Sequence, residues 1–256
     1  MAVGADRIDN QVDDQNDRRA ELAERLAAVR ARIAAACVAA GRSPDEVALL
    51  AVTKTVPAAD VALLLDLGVT ALGENRVQEA AAKVREVARL RPDAAPRWHV
   101  VGGLQRNKAR EVVRWADRVE SVDSERLADA LDRAVRREQE TGRRAGPLPV
   151  LVQFSVDGDP ERGGVPRSGL LQLAEHVATC AGLQLDGLMA VAPLGADPDA
   201  AFAEVESAAD LLRSEFPQAR TLSAGMSGDL EAAVRHGSVV VRVGTALVGE
   251  RPITSR

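Results

Sequence analysis

Lys54 is the first residue of this chain whose type and position suit a chemical role. The segment AVTKTVP places it directly after the apolar run of a predicted strand over 47–53. Because side chains alternate along a strand, Leu50, Val52 and Lys54 share one face. If that face points into a barrel, the amine lies above an apolar column, where partial desolvation favours its neutral, nucleophilic form. An ordinary solvated lysine at a strand end is the alternative.

The scarcity of lysine favours a functional interpretation. Of the 33 Lys and Arg residues, only Lys54, Lys83 and Lys108 are lysines. A codon bias toward arginine accounts for such a pattern, but a guanidinium stays protonated and cannot replace a nucleophilic amine. A lysine that remains under this bias is a hint that its amine matters. Lys108, one turn into a predicted helix, is predicted to have a surface or capping role instead.

Two later loops combine glycine with hydroxyl residues, and each follows a predicted strand, 219–223 or 238–243. Small residues at the start of a helix expose N–H groups that favour an anion. For either loop alone, a tight turn with a helix cap such as Ser227 is the alternative. With Arg242 adjacent, the two loops together predict a phosphate site. The residues concerned are Ser223, Met226, Ser227, Gly244 and Thr245.

Two further polar residues lie at strand ends. Asn75 follows the second predicted strand and offers both a donor and an acceptor, although a helix cap is the alternative. His99 lies in the third strand, where it would pack on a bound ring or hold a water molecule. A satisfied core histidine is the commoner outcome for a lone His.

These groups converge on one kind of ligand. Pyridoxal 5′-phosphate has an aldehyde for a lysine amine, a ring nitrogen for an arginine and a phosphate for the glycine-hydroxyl loops. The first and eighth strands of a closed barrel are neighbours, so one small molecule reaches both ends of the predicted site.

A strand-helix rhythm supplies the elements that position these residues. The predicted strands cover 47–53, 69–73, 97–101, 118–122, 148–155, 183–191, 219–223 and 238–243. The predicted helices between them cover 57–67, 76–90, 105–115, 124–140, 167–181, 198–214 and 227–236. Several strands are apolar on both faces, as in a covered parallel sheet, so the pattern predicts an α/β fold of the (β/α)8 TIM barrel type. An open doubly wound sheet is the alternative, although no nucleotide-binding glycine motif follows a strand.

The N-terminal region divides into a tail and an extra helix. Residues 1–16 are polar and predict a disordered tail. An apolar stripe then predicts an amphipathic helix that stops near Gly41. The stripe comprises Leu22, Leu26, Val29, Ile33 and Cys37. Because no linker divides the rest, residues 17–256 are predicted to form a single barrel domain.

Composition limits the partners and the compartment. The net charge of −5 and the pI of about 5.4 point to neither nucleic acid nor an anionic membrane. Cys37 and Cys180 are the only cysteines, which excludes a disulfide framework and a cysteine-rich metal site and suits a reducing cytoplasm. No secretory signal or membrane-spanning stretch is expected.

Six motifs resemble those of the pyridoxal-phosphate-binding homeostasis proteins. They are AVTKTVP, GENRVQE, WHVVGGLQRNK, GLMAVAP, LSAGMSGDLEAAV and VRVGTALVGER. The resemblance implies a barrel like the N-terminal domain of alanine racemase, without a second domain, that binds pyridoxal 5′-phosphate. It makes Lys54 the Schiff-base lysine, with Asn75 near the ring and Arg242 at the pyridine nitrogen. It also places Ser223, Met226, Ser227, Gly244 and Thr245 around the phosphate, with no metal and no assigned catalytic residue.

The resemblance implies a role in vitamin B6 homeostasis, as a carrier or buffer that delivers the cofactor to apo-enzymes, without robust catalysis. The cysteine content suits a cytoplasmic location, and a monomer is expected because there is no second domain to form the racemase dimer. A racemase of the alanine racemase type is the alternative, but such enzymes use a tyrosine from a second domain, and this sequence contains no tyrosine. A Schiff-base aldolase that works without the cofactor is a third hypothesis.

Overall fold

The computed structural model describes residues 5–249, with side chains described from residue 15 onward apart from residue 160. The strands are β1 Ala48–Val52, β2 Ala71–Glu74, β3 Arg97–Val100, β4 Arg118–Val122, β5 Leu148–Phe154, β6 Leu183–Ala190, β7 Thr221–Ser223 and β8 Val240–Val243. The helices are α1 Ala5–Ala39, α2 Ala58–Asp66, α3 Val77–Leu90, α4 Ala109–Val112, α5 Glu125–Glu140, α6 Arg167–Thr179, α7 Pro198–Glu215, α8 Leu230–Arg235 and α9 Thr245–Val248.

The eight strands form a closed parallel barrel. Each strand pairs with the next in chain order, and β8 pairs with β1 in a register that sets Leu50 beside Arg242. An open doubly wound sheet would leave two unpaired edges, so the pairing of β8 with β1 confirms the predicted TIM barrel. The predicted strand limits agree with the observed ones to within two residues.

Side chains of successive residues on β1 pack on opposite sides of the barrel wall. Leu50 belongs to a small interior cluster with Ala71 of β2 and Val240 of β8. Ala51 instead belongs to a large cluster that joins the strands to the surrounding helices. The predicted alternation on β1 is therefore present, with the Leu50 face inside the barrel.

Helix α1 covers the outside of the barrel. Its predicted apolar stripe, from Leu22 to Cys37, is buried. The structure differs from the predicted disordered tail, because residues 5–16 lie within α1; residues 1–4 lie outside the described residues. This segment has no Gly or Pro to end a helix, and a helix already nucleated adds one hydrogen bond for each residue that it gains.

The described residues form α1 and one barrel, and no second domain occurs among them. Residues 250–256 of the predicted barrel domain lie outside the described range. None of the helices within residues 5–249 combines the length and the apolar composition needed to cross a bilayer.

Candidate functional site

Lys54 lies at the carboxyl end of β1, where the active sites of such barrels are found. Leu50 below it on the same face is fully buried, Val52 is partly buried and Lys54 is exposed. Among the described residues, Lys54 has no hydrogen-bond or ion-pair partner. The apolar column is thus present, but protein groups do not desolvate the amine as predicted. The amine is instead open to an incoming carbonyl group.

Asn75 follows β2 and lies against the loop after β3. A Cβ atom at Gly102 would lie 2.7 Å from the Asn75 carbonyl oxygen, so only glycine allows this approach. The Oδ1 atom of Asn75 is buried and has no hydrogen-bond partner within residues 5–249. The alternative role of Asn75 as a helix cap is absent, since α3 begins after Arg76 without a side-chain cap.

Arg242 places a buried cation inside the barrel. Its Nη1 donates to the carbonyl of Ser223 at 2.6 Å and to that residue's Oγ at 2.8 Å, and its Nη2 donates to the carbonyl of Ala190 at 2.7 Å. Burial lowers the pKa of Arg242, but a guanidinium stays protonated in proteins. Of its five N–H groups, the three bonds leave two without a partner among the described residues.

Hydrogen bonds join Arg242 to His99 through the barrel interior. Ser223 Oγ donates to Glu120 Oε2 at 2.6 Å, and Glu120 Oε1 lies 2.6 Å from His99 Nδ1. Burial by itself raises the pKa of Glu120, but the hydrogen bond from His99, the neighbouring positive charge and the Ser223 hydroxyl together hold this pKa below its ordinary value. Glu120 therefore supplies the negative charge that balances Arg242. His99 is buried, and its Nδ1 is paired with Glu120.

The loop between β7 and α8 offers backbone donors. The N–H groups of Ser227 and Gly228 have no acceptor within the described part of the chain. The N–H of Met226 donates to Asp229 Oδ1 at 2.5 Å. The Ser223 hydroxyl is engaged inside the barrel. The backbone donors that this loop offers to an anion are therefore the N–H groups at its tip, formed by Ser227 and Gly228.

The loop after β8 lies beside β1. A Cβ atom at Gly244 would be 3.5 Å from the Cβ and the carbonyl oxygen of Val52, two residues before Lys54. Thr245 starts α9 with an exposed side chain, and the first N–H groups of a helix have no intrahelical acceptor. The structure thus brings Lys54 and Thr245 to the same part of the mouth.

Helix α1 holds both glycine-hydroxyl loops from outside, a role that its apolar stripe does not predict. Arg32 Nη1 donates to the carbonyl of Ser227 at 2.6 Å, and the same guanidinium pairs with Glu231. Arg18 Nη2 donates to the carbonyl of Val248 at 2.9 Å, at the end of α9. The alternation of basic and apolar residues in α1 is the only sequence signal for these contacts.

The three lysines have different environments. Lys83, on α3, makes a buried pair with Glu74 at 2.7 Å. Lys108 lies 3.8 Å from Glu111 near the surface, in agreement with its predicted role. Only Lys54 combines exposure with a place at a strand end.

One group of potential metal ligands lies away from the mouth, between α5 and the end of α6. The ligand atoms of Asp129, His176 and Cys180 lie within 4.8 Å of one another. His176 Nε2 already lies 2.8 Å from Asp129 Oδ1, and the thiol donates to the carbonyl one helical turn back at 3.4 Å. These contacts already engage one atom of each of the three side chains.

Comparisons with known proteins place the chain in a family. A family model described as the alanine racemase N-terminal domain matches residues 25–252. The pyridoxal phosphate homeostasis protein of Mycobacterium tuberculosis is 49% identical over 248 residues, which cover 93% of this chain and 96% of that protein. The chain belongs to the pyridoxal phosphate homeostasis protein family. The resemblance that the six motifs indicate is thereby confirmed.

Solved structures share the barrel of this pyridoxal phosphate homeostasis family member. PipY of Synechococcus elongatus, solved with pyridoxal phosphate bound, matches with a TM-score of 0.73 and 36% identity, over 89% of this chain and 100% of that chain. Alanine racemase of Corynebacterium glutamicum matches with a TM-score of 0.63 and 16% identity, over 90% of this chain and 62% of that one. The second likeness confirms the predicted fold and concerns the fold alone.

Proposed function

We propose that this chain binds pyridoxal 5′-phosphate as a Schiff base on Lys54 and acts as a carrier or buffer of the cofactor, without robust catalysis. In the condensation, the amine nitrogen forms a C=N bond with the aldehyde carbon, and the carbonyl oxygen leaves as water. The observation that carries the proposal is an exposed lysine amine at the same barrel mouth as two loops with available donors.

The residues present fit each part of this cofactor. Lys54 is open to an aldehyde, and the tip of the β7–α8 loop and the start of α9 offer donors to a phosphate. Considering residues 5–249 alone, Arg242 keeps two N–H groups for a ring nitrogen, and the buried Oδ1 of Asn75 has no hydrogen-bond partner. When bound, the cofactor would supply its aldehyde and a conjugated ring that withdraws electrons.

The charge of Arg242 favours carriage over catalysis. Its guanidinium donates hydrogen bonds and cannot accept a proton, so it would leave an adjacent ring nitrogen unprotonated. Each carboxylate oxygen of Glu120, which balances this charge, is already bonded, one to His99 and the other to Ser223. A ring with an unprotonated nitrogen withdraws electrons weakly, which limits carbanion chemistry.

The alternative is an amino-acid racemase, which the barrel shared with alanine racemase favours. Racemisation by two bases needs a second acid-base group opposite the lysine. The 256 residues contain no tyrosine to supply the usual one. We therefore expect purified protein loaded with the cofactor to turn over D- or L-alanine at the background rate, measured by chiral chromatography. Robust turnover would overturn the carrier proposal.

An absorbance titration tests the proposal directly. Adding pyridoxal 5′-phosphate to the wild-type protein should produce a visible band, which Lys54→Ala should abolish. Lys108→Ala is the matched control, since it removes a different lysine near the surface and should keep the band. A wild-type protein that stays colourless at saturation would refute cofactor binding. A band of this kind would also refute the aldolase hypothesis.

The recipient apo-enzymes, the monomeric state and the cytoplasmic location stay predictions. An acidic net charge and two reduced, buried cysteines support the location.

A further inference from the structure

Lys83 is a buried cation on α3, just outside the barrel wall. Its Nζ donates to the carbonyl of Thr53 at 2.6 Å and to Glu74 Oε1 at 2.7 Å. The side chain of Lys83 is 10% exposed and that of Glu74 is 0% exposed. A solvated helix face is the usual place for a lysine in an amphipathic helix, so this burial needs another cause.

Both partners of Lys83 directly precede residues of the proposed site. Thr53 comes before Lys54, and Glu74 comes before Asn75. The Thr53 hydroxyl also donates to Glu74 Oε1 at 2.7 Å, and the Thr53 N–H donates to the carbonyl of Gly73 at 2.9 Å. Three donor groups thus link the carboxyl ends of β1 and β2: the Thr53 N–H, the Thr53 hydroxyl and the Lys83 amine. Of these three, only the Lys83 amine comes from outside the barrel.

The bond to the Thr53 carbonyl acts on Lys54 through covalent geometry. A peptide unit is planar, so the carbonyl of Thr53 lies in one plane with the nitrogen and Cα of Lys54. Fixing that oxygen restrains the peptide plane that carries the Lys54 Cα, and so limits the directions in which the Lys54 side chain can leave the backbone. The pair with Glu74 restrains the neighbouring strand end in the same way, next to Asn75.

Stability alone is a weak reason for such a pair. Removing two charges from water is costly, and an apolar pair of similar volume is often at least as stable. Glu74 Oε2 is buried without a partner within residues 5–249, so the carboxylate is held through one oxygen. An arrangement selected for stability would satisfy both oxygens, whereas one that positions a backbone carbonyl needs only the contacts that are present.

We propose that Lys83 and Glu74 are positioning residues that set the direction of the Lys54 amine for Schiff-base formation. The inference rests on the proposed function, because it assumes that Lys54 condenses with pyridoxal 5′-phosphate. Lys83 itself forms no bond with the cofactor. Its removal should slow the condensation and leave the binding of the phosphate group unchanged.

Stopped-flow absorbance separates these two effects. After mixing with pyridoxal 5′-phosphate, Lys83→Met should develop the visible band about tenfold more slowly than wild type, since misdirected groups react slowly. The inhibition constant of inorganic phosphate, which competes for the loops, should stay at the wild-type value. Lys108→Met, the matched lysine outside the pair, should show wild-type rates.

Three further variants keep the test valid if Lys83→Met does not fold. Lys83→Met combined with Glu74→Gln removes both buried charges and should also slow the band about tenfold. Thr53→Val removes only one hydroxyl contact and should slow it about threefold. Lys83→Arg, which keeps a cation with several donors, should recover part of the rate.

The outcomes distinguish the two proposals. A wild-type protein without any band would refute the proposed function. A wild-type band with unchanged rates in the folded variants would overturn the positioning role and leave the proposed function intact. Slower bands accompanied by an equal loss of phosphate affinity would also overturn it, because general distortion of the mouth would explain them.

Discussion

The two sides of the barrel mouth are held in different ways. On the lysine side, the ends of β1 and β2 are fixed by a buried pair, with Lys83 10% and Glu74 0% exposed. On the phosphate side, α1 contacts the β7–α8 loop from outside through Arg32, which pairs with Glu231, and their side chains are 37% and 45% exposed. Rigid, buried contacts suit the side of the site that directs one reactive nitrogen. Solvent-exposed contacts are sufficient for loops that admit and release an anion.

The largest expected difference between the two sides is in stability. Lys83→Met leaves the Glu74 carboxylate buried without its cation and should lower the free energy of unfolding by about 3 kcal/mol. Arg32→Met breaks a solvated pair and should lower it by less than about 1 kcal/mol. Urea unfolding monitored by circular dichroism measures both values. Equal losses for the two variants would remove the distinction between the two sides.

A second prediction concerns Glu120, which is linked to Arg242 through the Ser223 hydroxyl. Glu120→Gln weakens charge-assisted hydrogen bonds and should cost about 2 kcal/mol of unfolding free energy at neutral pH. Because the pKa of Glu120 is lowered in the folded state, its contribution is present above the unfolded pKa of about 4.3 and is lost as pH falls through the folded value.

The wild-type protein should therefore lose more stability than Glu120→Gln below pH of about 4. Urea unfolding at a series of pH values would show the two curves converging on the acid side. Parallel curves at every pH would mean that Glu120 is not the group that balances Arg242.

A smaller effect is expected at the phosphate loops. Ser227→Ala combined with Thr245→Ala removes two hydroxyl donors but keeps the backbone N–H groups, so cofactor affinity should fall about tenfold. Equilibrium dialysis measures the affinity, with Ser214→Ala on the outer helix α7 as the matched control. Unchanged cofactor affinity would mean that these two hydroxyls do not hold the phosphate. It would not bear on the proposed role of Lys54.

Much of the barrel was predictable from sequence, for one physical reason. Parallel strands that are covered on both faces appear in the sequence as short apolar runs. Those runs predicted the limits of the observed strands to within two residues. The alternation that places Leu50 inside the barrel is equally local. Residues 5–16 were harder, since polar residues suit a solvated helix and a disordered tail alike.

The contacts that support the site were not predictable in the same way. Lys83 lies in the middle of an amphipathic helix, and its partner Thr53 is 30 residues away in sequence. Glu120 looks like a solvent-facing acid in a half-buried strand, and its partner Ser223 lies 103 residues further on. Ser223 was assigned to the phosphate from its loop, and its hydroxyl bonds to Glu120 across the barrel. Such pairings depend on which strands and helices meet, which no local pattern encodes.

Borohydride reduction followed by peptide mass mapping tests the central claim most directly. The wild-type protein, incubated with pyridoxal 5′-phosphate and reduced, should carry one stable adduct on the peptide that contains Lys54. Lys54→Ala should carry none, while Lys83→Met should still be labelled at Lys54 after long incubation. An adduct on Lys83 or Lys108 in the wild-type protein, or one that persists in Lys54→Ala, would contradict the assignment.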